Sequence, residues 1–386
     1  MKDRQGVRSG LVSDQSSNPR PPVDGPLAAQ HKELGAKMAE FGGWSMPLSY
    51  AGVVEEHLAT RSAVGVFDVS HLGKAIVRGT GADSETATDF VNRCLTNDLN
   101  RIGDGQAQYT LCCDEETGGA VDDLIAYRGE GDVFLVPNAA NTERVLDLLR
   151  AAAPEGIEVI DRHRAIATIA VQGPRSAEVL DEVGLPSDMD YMAFERVTWR
   201  DLPVTVCRTG YTGEHGYELM PPAESAGQVW VAVLAAATSV GGQPCGLGAR
   251  DTLRTEMGYP LHGNDLSIAV TPVQARLGWA VGWDKPAFWG RDVLTREREV
   301  GAPRLLWGLC SEDRGIPRPH MPVRSPDDTD LGVVTSGTFS PSLKAGIGLA
   351  LLSRSVKEGD EVRVDVRGKP SVMRVVKPPF VQSSVR

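Results

Sequence analysis

Two adjacent aspartates, Asp122 and Asp123, lie inside a predicted β-strand that follows the glycine turn Gly118-Gly119. Aspartate is depleted in strands, and burying a carboxylate is unfavourable unless it is paired. Two interpretations stay open. In the first, one aspartate ties down the glycine turn and the other pairs with a buried arginine. In the second, one of them is a working carboxylate in a cavity.

Alternation along this strand separates the two carboxylates. Neighbouring side chains point to opposite faces, so the pair is not expected to form one acid/base dyad. Whichever face is the core, a carboxylate lies on it beside apolar groups. The predicted faces are Val121, Asp123, Ile125 and Tyr127 on one side and Asp122, Leu124 and Ala126 on the other.

A further carboxylate, Glu218, lies inside the strand predicted over 217–220, directly after the glycine-dense loop 208–216. Such a loop lets the main chain approach a ligand closely, but it lacks the G-x-x-x-x-G-K-[ST] pattern of a phosphate-binding loop. A solvent-facing Glu218 has no special role, whereas a buried one needs a partner. The sequence leaves both possibilities open.

Arg250 and Arg254 lie four residues apart on one face of the helix predicted over 246–258. Near the helix start, Arg250 opposes the helix dipole, and in the structural interpretation Asp251 compensates for it. In the alternative, two arginines on one face bind a ligand that carries carboxylates. Gly246-x-Gly248 resembles the start of a dinucleotide fingerprint, but Asp251 replaces the third glycine, so that signal fails.

His71 follows Asp68 and Ser70 in the strand predicted over 65–72, which invites a hydrolytic triad. Adjacent strand positions face apart and no nucleophile-elbow spacing is present, so the pattern argues against a triad.

Three other polar residues lie in predicted turns or loops. Asn138 comes just after a strand, where its amide either faces a ligand or closes a turn. Asp98 has the position of a turn residue. Arg318 lies on a loop stiffened by prolines and is unremarkable by itself.

Length and composition bound the class of protein. The chain has 386 residues, enough for two or three domains, and a net charge of −11. The negative charge argues against a general nucleic-acid binder, so an anionic ligand needs a local group of arginines. The six cysteines and seven histidines show no metal-ligand spacing, so we expect no metal site and reduced thiols.

The elements that position these residues follow from periodicity and turn signals. Residues 1–27 are predicted to be a disordered tail without the apolar core of a signal peptide. A helical pattern runs over 27–40, then a glycine-rich stretch over 41–50 breaks it, and a further helix is predicted over 80–94. The apolar run 229–237 suits an amphipathic helix and is too short to span a bilayer. After about residue 289, short strands indicate a β-barrel or sandwich.

Eight stretches occur in an order that resembles the aminomethyltransferase, or T-protein, family of the glycine cleavage system. They are FGGWSMPLSY, FDVSHL, GGAVDDLIAY, AVQGP, TGYTGEHGYEL, CGLGARDTLRTEMGYPLHGND, TSGTFSPSL and KPPFV. The resemblance implies an α+β fold with two interwoven domains of antiparallel sheets and a C-terminal β-barrel, arranged like a cloverleaf around a folate cavity. The implied domains are a core over 28–288, with switches near 75 and 160, and a barrel over 289–386.

The resemblance also assigns residues. Asp123, the second aspartate of its pair, matches the essential carboxylate of the family, and Asp98 does not. Glu218 and Arg250 match contacts to the folate head group. Leu72 stands where the family usually has methionine, and the C-terminal end lacks the tyrosine of some members. Further positions that match the cavity are Tyr211, Val136, Asn138 and the barrel residue Arg318.

The implied reaction moves the methylene of an aminomethyl group from a dihydrolipoyl arm to tetrahydrofolate and releases ammonia. The implied co-substrate is tetrahydrofolate, the partner is the lipoylated carrier (H) protein, and no metal, nucleic acid or membrane takes part. We expect a cytoplasmic location. One alternative is a folate-dependent demethylase of the same superfamily. Another is a non-catalytic folate-binding protein, although the Lys-Gly-Cys motif of such relatives does not occur here.

Overall fold

Two large sheets, one small sheet and a closed barrel form the computed structural model, which describes residues 21–80 and 86–385. In this part of the chain the strands are β1 (Val23–Asp24), β2 (Lys37–Phe41), β3 (Trp44–Ser49), β4 (Gly65–Asp68), β5 (Ala75–Gly79), β6 (Gln106–Cys113), β7 (Ala120–Arg128), β8 (Asp132–Val136), β9 (Ile157–Asp161), β10 (Ile169–Gln172), β11 (Phe194–Trp199), β12 (Leu202–Cys207), β13 (Gly216–Met220), β14 (Gln243–Cys245), β15 (Arg304–Ser311), β16 (Pro322–Arg324), β17 (Asp330–Ser340), β18 (Ala345–Ser353), β19 (Glu361–Val366) and β20 (Lys369–Val376). The α-helices are α1 (Ala28–Glu33), α2 (Val53–Ser62), α3 (Ala87–Cys94), α4 (Thr142–Ala152), α5 (Ser176–Val183), α6 (Ala226–Ser239), α7 (Leu247–Met257) and α8 (Arg291–Val300).

The two large sheets are built out of sequence order. One has the strand order β11-β12-β13-β10-β4-β14 and the other the order β6-β7-β8-β5-β9. The chain leaves the first sheet after β4, builds the whole of the second, and returns with β10. The barrel closes in the order β15-β18-β17-β16-β19-β20. The predicted fold class, α+β with antiparallel sheets and a C-terminal β-barrel, is confirmed.

Helices cover one face of each large sheet and form separate cores. On the six-stranded sheet, α5 and α6 bury apolar side chains such as Leu180 and Trp230. On the five-stranded sheet, α3 and α4 bury residues such as Phe90 and Leu146. The helix α3 begins where the Thr86 hydroxyl accepts a hydrogen bond from the amide of the third helical residue, a standard N-cap.

The N-terminal region differs from the prediction. The helix expected over 27–40 ends at Glu33, and β2 pairs with β3 around a turn at Gly42 and Gly43. Both glycines have positive φ, +57° and +84°, which a two-residue hairpin turn requires. The disordered tail predicted over 1–27 is too long at its C-terminal end, because Leu27 is fully buried in the folded part of the chain. Residues 1–20 lie outside the described part of the chain. Residues 81–85 of the helix predicted over 80–94 also lie outside it, and the helix that the structure describes there begins at Ala87.

Within residues 21–80 and 86–385, no helix combines the length and apolar character needed to cross a membrane.

Glu256 on α7 fastens the barrel to the helices of the core. Its side chain is fully buried and accepts hydrogen bonds from Arg61 Nη2 at 2.8 Å and from Ser342 Oγ at 3.0 Å. The ring nitrogen Nε2 of His57 lies 3.2 Å away, and the Ser340 hydroxyl at the end of β17 donates at 2.5 Å. One carboxylate thus joins α2, α7 and the barrel.

We expect Glu256→Gln to lower the free energy of unfolding by about 2 kcal/mol at pH 7, because a charged acceptor is lost. Burial by itself raises the pKa of Glu256, but the hydrogen bond and charge of His57, together with Ser340 and Arg61, outweigh it and lower the pKa to about 2. Since the folded-state pKa lies below the ordinary value of 4.5, this stabilisation is present above pH 4.5 and is lost as the pH falls toward 2.

Thermal melts of both proteins at pH 7 and at pH 2 to 4.5 check this expectation. The difference in melting temperature between wild type and variant should become smaller as the pH falls from 4.5 toward 2. A difference in melting temperature that stays constant down to pH 2 would show that the charge of Glu256 contributes nothing to the stability of the fold.

Candidate functional site

The Asp-Asp pair lies at the end of β7 that extends beyond its pairing with β8. That pairing ends at Ile125 and Val136, and Asn138 follows two residues later. The Asn138 side-chain Nδ2 lies 2.9 Å from Asp122 Oδ1 and 3.0 Å from Asp123 Oδ1. One amide group therefore joins the two carboxylates.

Each carboxylate also has donors of its own. Asp122 is fully buried and accepts from the main-chain amide of Asn138 at 2.9 Å and from Asn141 Nδ2 at 2.6 Å. Asp123 is partly buried and accepts from the Tyr109 hydroxyl at 2.9 Å. Within residues 21–80 and 86–385 neither carboxylate pairs with an arginine, and Asp114 ties down the glycine turn through the amide of Thr117 at 2.9 Å. The structural interpretation given for the pair is therefore wrong.

The predicted faces of β7 need one correction. Asp122 shares its face with Leu124, which packs in the core of the five-stranded sheet, whereas Tyr127 on the Asp123 face packs in another cluster. Val121, predicted for the Asp123 face, packs with Leu124 instead. The cause is an irregularity in the β6–β7 register, in which Asp122 and Ala120 oppose consecutive residues of β6 and Val121 is left over.

Burial makes both carboxylates hold a proton more readily than exposed aspartates do. It raises the pKa of Asp122 to about 8, with the nearby charge of Asp123 as the next cause. It also raises the pKa of Asp123, against the hydrogen bond from Tyr109 and the influence of His262. The two carboxylates lie on opposite faces, as predicted, yet the Asn138 amide bonds to both of them.

Sequence reasoning missed three residues of this network, namely Tyr109, Asn141 and His262. Tyr109 holds Asp123, and the Trp279 ring, which is 65% exposed, stacks on Tyr109 with centroids 5.3 Å apart. Asn141 Nδ2 lies 2.9 Å from His262 Nδ1, and His262 Nε2 lies 3.0 Å from the Ala120 carbonyl. In this arrangement Nδ1 faces the Asn141 amide and Nε2 faces a carbonyl. The strand partner of β7 offered a signal for Tyr109, but no local pattern identifies His262.

Glu218 lies on β13 of the other large sheet and is 7% exposed. Thr209 donates its hydroxyl proton to Glu218 at 2.5 Å, and that hydroxyl lies 3.1 Å from the hydroxyl of Tyr127. Tyr127 belongs to β7, four residues after Asp123. Hydrogen bonds therefore bring the carboxylate of one sheet close to the Asp123 strand of the other. The interpretation of Glu218 as a solvent-facing residue is wrong.

Arg250 lies on α7 with its guanidinium 4.6 Å from the centroid of the Tyr211 ring. Its Nη1 is buried without a hydrogen-bond partner in the described chain. Burial lowers the pKa of Arg250, and the charge of Glu218 opposes that shift. Arg254, by contrast, is satisfied by Asp265 at 2.9 Å and by Asp251, so only Arg250 of the two predicted arginines has an unused donor.

The other predicted residues lie in different surroundings. Val136 is buried and packs in one cluster with Tyr127, against which Leu72 is partly buried. Tyr211 donates its hydroxyl to the Pro260 carbonyl at 2.5 Å. Arg318 is exposed on the barrel and donates to the Gly337 carbonyl at 3.1 Å, so its described contact lies within the barrel.

Two minor sequence interpretations are also settled. Asp98 accepts from the amide of Asn100 at 3.0 Å and caps a short turn, as predicted. Asp68 binds His31 at 2.8 Å and the Ser70 amide at 2.8 Å, while His71 takes no part. The hydrolytic triad is not formed.

Buried polar atoms without partners indicate what kind of ligand this region fits. Besides the donor Nη1 of Arg250, the ring nitrogen Nδ1 of His71 is buried without a hydrogen-bond partner among the described residues. Native proteins seldom leave such atoms unpaired, so an acceptor edge and a donor edge on one polar ligand would complete them. A polar ligand with both kinds of edge is therefore what these atoms would bind.

Comparisons with known proteins identify the family of the chain. The family model of the GCVT N-terminal domain matches residues 27–285, and that of the glycine cleavage T-protein C-terminal barrel domain matches residues 304–382. An aminomethyltransferase from Parafrankia sp. (strain EAN1pec) is 64% identical over 364 residues, which are 94% of this chain and 98% of that protein. Another from Mycobacterium tuberculosis (strain ATCC 25618 / H37Rv) is 58% identical over 367 residues, again 94% of this chain and 98% of that protein.

A solved structure matches as well. The glycine cleavage system aminomethyltransferase T from Bartonella henselae has a TM-score of 0.87 and 33% identity, covering 94% of this chain and 99% of that one. The fold and the matches together define a transferase built from two large sheets with their helices and a barrel. The chain belongs to the glycine cleavage T-protein family, and its activity is that of an aminomethyltransferase.

Proposed function

We propose that the chain takes the methylene of an aminomethyl group on the dihydrolipoyl arm of a carrier (H) protein, transfers it to tetrahydrofolate and releases ammonia. The observation that carries this proposal is the partly buried Asp123 carboxylate, held by Tyr109 and Asn138 close to Glu218 on the second sheet and to a buried guanidinium nitrogen of Arg250 on α7 that has no partner in the described chain. We further propose that the protein works in the cytoplasm.

Glu218 and Arg250 hold the head group of the folate in this proposal. The carboxylate of Glu218 accepts hydrogen bonds from the donor edge of the pterin, and Arg250 Nη1 donates to an acceptor. Leu72, Val136 and Tyr211 form apolar and aromatic walls. Arg318 is proposed to act from the barrel, on a part of the folate outside the pterin.

Asp123 acts on the reacting centre. When bound, tetrahydrofolate supplies the nucleophilic ring nitrogen. The fixed Asp123 carboxylate orients the amine and stabilises the positive charge that develops on the transferred carbon, because a preorganised charge needs no reorganisation during the reaction. Asn138 and Tyr109 fix the carboxylate by donating to its two different oxygens. Asp122 holds Asn138 in place through two hydrogen bonds at 2.9 Å.

We expect Arg250→Lys to weaken tetrahydrofolate binding about tenfold, or about 1.4 kcal/mol. An ammonium does not reproduce the planar, forked contact or the stacking on the Tyr211 ring. Isothermal titration with tetrahydrofolate kept reduced under argon measures the change. Arg164→Lys is the matched control, because Arg164 also lies over an aromatic ring, that of Trp44, at 5.9 Å. Unchanged affinity and turnover in Arg250→Lys would make Arg250 a generic charge or a structural residue.

A further inference from the structure

His71 is a buried histidine that the proposed function does not yet use. It follows β4, is 2% exposed, and its ring meets the Phe41 ring edge-on with centroids 5.1 Å apart. Its Nδ1 is buried and has no hydrogen-bond partner within the described residues. The other buried histidines of this region differ, since His31 bonds to Asp68 at 2.8 Å and His57 to Thr252 at 2.7 Å. The Nδ1 nitrogen of His71 therefore has hydrogen-bonding capacity that the described residues do not use.

The backbone around His71 is held rigidly by two basic side chains. Lys74 is fully buried, and its Nζ donates to the Ser70 carbonyl and to the Leu72 carbonyl, both at 2.7 Å. His163 Nε2 lies 2.8 Å from the carbonyl of His71 itself. Three successive carbonyls are thus fixed, while the imidazole between them makes no hydrogen bond through Nδ1. The ring is positioned in advance without using that nitrogen.

The position of His71 places it in the proposed folate site. The next residue, Leu72, packs against the cluster that contains Val136. Leu72 also packs against the cluster that contains Ala249, the residue before Arg250 on α7. His71 and Arg250 therefore each adjoin a residue of one packed cluster, and each has a buried nitrogen without a partner in the described chain.

The imidazole is neutral at physiological pH. Burial lowers the pKa of His71 to about 3, with the charge of Arg250 as the next cause. The charges of Lys74 and His163 act in the same direction, and only Asp68 opposes them. A neutral imidazole carries one nitrogen lone pair, which can accept a hydrogen bond.

We propose that His71 contacts the bound tetrahydrofolate, with Nδ1 accepting a hydrogen bond from an N–H of the reduced pterin beside Arg250. This inference rests on the proposed function, because the donor belongs to the folate. His71 then acts as a recognition residue for the reduced ring, and Lys74 and His163 are positioning residues that act through it.

Titration of tetrahydrofolate into His71→Phe tests the proposal. Phenylalanine keeps the ring packing against Phe41 but removes the acceptor, so Kd should rise about tenfold, or about 1.4 kcal/mol, with little change in melting temperature. His215→Phe is the matched control, since the His215 ring also meets an aromatic ring edge-on, that of Tyr217 at 5.4 Å. Its Kd should equal that of wild type. In His71→Asn the side-chain carbonyl should restore part of the affinity.

A second measurement does not depend on a folded variant. In wild-type protein labelled with ¹⁵N-histidine, one acceptor-nitrogen resonance should move upfield when tetrahydrofolate saturates the site. Unchanged affinity in His71→Phe, or no shift of any histidine nitrogen in the saturated protein, would overturn the role of His71. Wild-type protein that fails to bind tetrahydrofolate would instead contradict the proposed function, so the two failures are distinguishable.

Discussion

Asp123→Asn should lower the single-turnover rate of methylene transfer about 10²–10³-fold, the usual effect of removing one preorganised electrostatic group. Asparagine keeps the size of the side chain and can still accept from Tyr109 through its carbonyl oxygen. The fold and most of the tetrahydrofolate affinity should therefore survive, while the negative charge at the reacting centre is lost. Rapid-quench measurement of the methylene product, with enzyme in excess over the carrier, gives this rate.

Asp122→Asn is the matched control, with the same chemical change one residue earlier. Both oxygens of Asp122 accept, from Asn141 and from both nitrogens of Asn138, so the NH2 group of an amide in its place faces a donor and loses hydrogen bonds inside the core. We expect this variant to lose thermal stability more than chemistry. If a folded Asp122→Asn loses the chemical step while Asp123→Asn keeps it, the assignment of the reacting carboxylate is wrong.

Glu218→Ala should weaken tetrahydrofolate binding by roughly 1.5–3 kcal/mol, which is about tenfold to a hundredfold in Kd. The reason is that a buried carboxylate with only Thr209 as its described hydrogen-bond donor has acceptor capacity left for the ligand. Isothermal titration measures the affinity, and a thermal melt checks that the fold is intact.

Glu214→Ala supplies the control for that experiment. Glu214 belongs to the same loop region, is equally buried at 7% exposure, and pairs with Arg61 at 2.8 Å. Its loss should reduce stability and leave Kd unchanged. Equal affinity losses in both variants would mean that Glu218 acts only by holding the loop.

Local patterns in the sequence predicted much of this molecule. Two glycines before an apolar strand placed Asp123 correctly in a meander, and the Glu218 strand after a glycine-dense loop was also found. The helix predicted over 27–40 failed because Gly42 and Gly43 turn the chain into a hairpin, and pairing with β3 then outweighed helical periodicity.

Long-range contacts were beyond local patterns. His262 reaches the aspartate network from 140 residues away along the chain through Asn141, and no spacing rule connects them. The spacing of Arg250 and Arg254 gave no reason to prefer one of them as a ligand-binding residue. The ion pair of Arg254 with Asp265 distinguishes them in the structure. Similarly, the His71 nitrogen without a partner in the described chain was identified only once the partners of Asp68 were known.

The most direct test of the central claim is transfer from a defined carrier. Purified chain is mixed with tetrahydrofolate and a lipoylated carrier protein bearing the aminomethyl group, and ammonia and methylenetetrahydrofolate are measured. We predict both products in equal amounts, with none when the carrier is unlipoylated and a steep loss with Asp123→Asn. No products from the loaded carrier, although tetrahydrofolate binds, or methylated tetrahydrofolate formed from a sulfonium or methylamine without any carrier, would contradict the account.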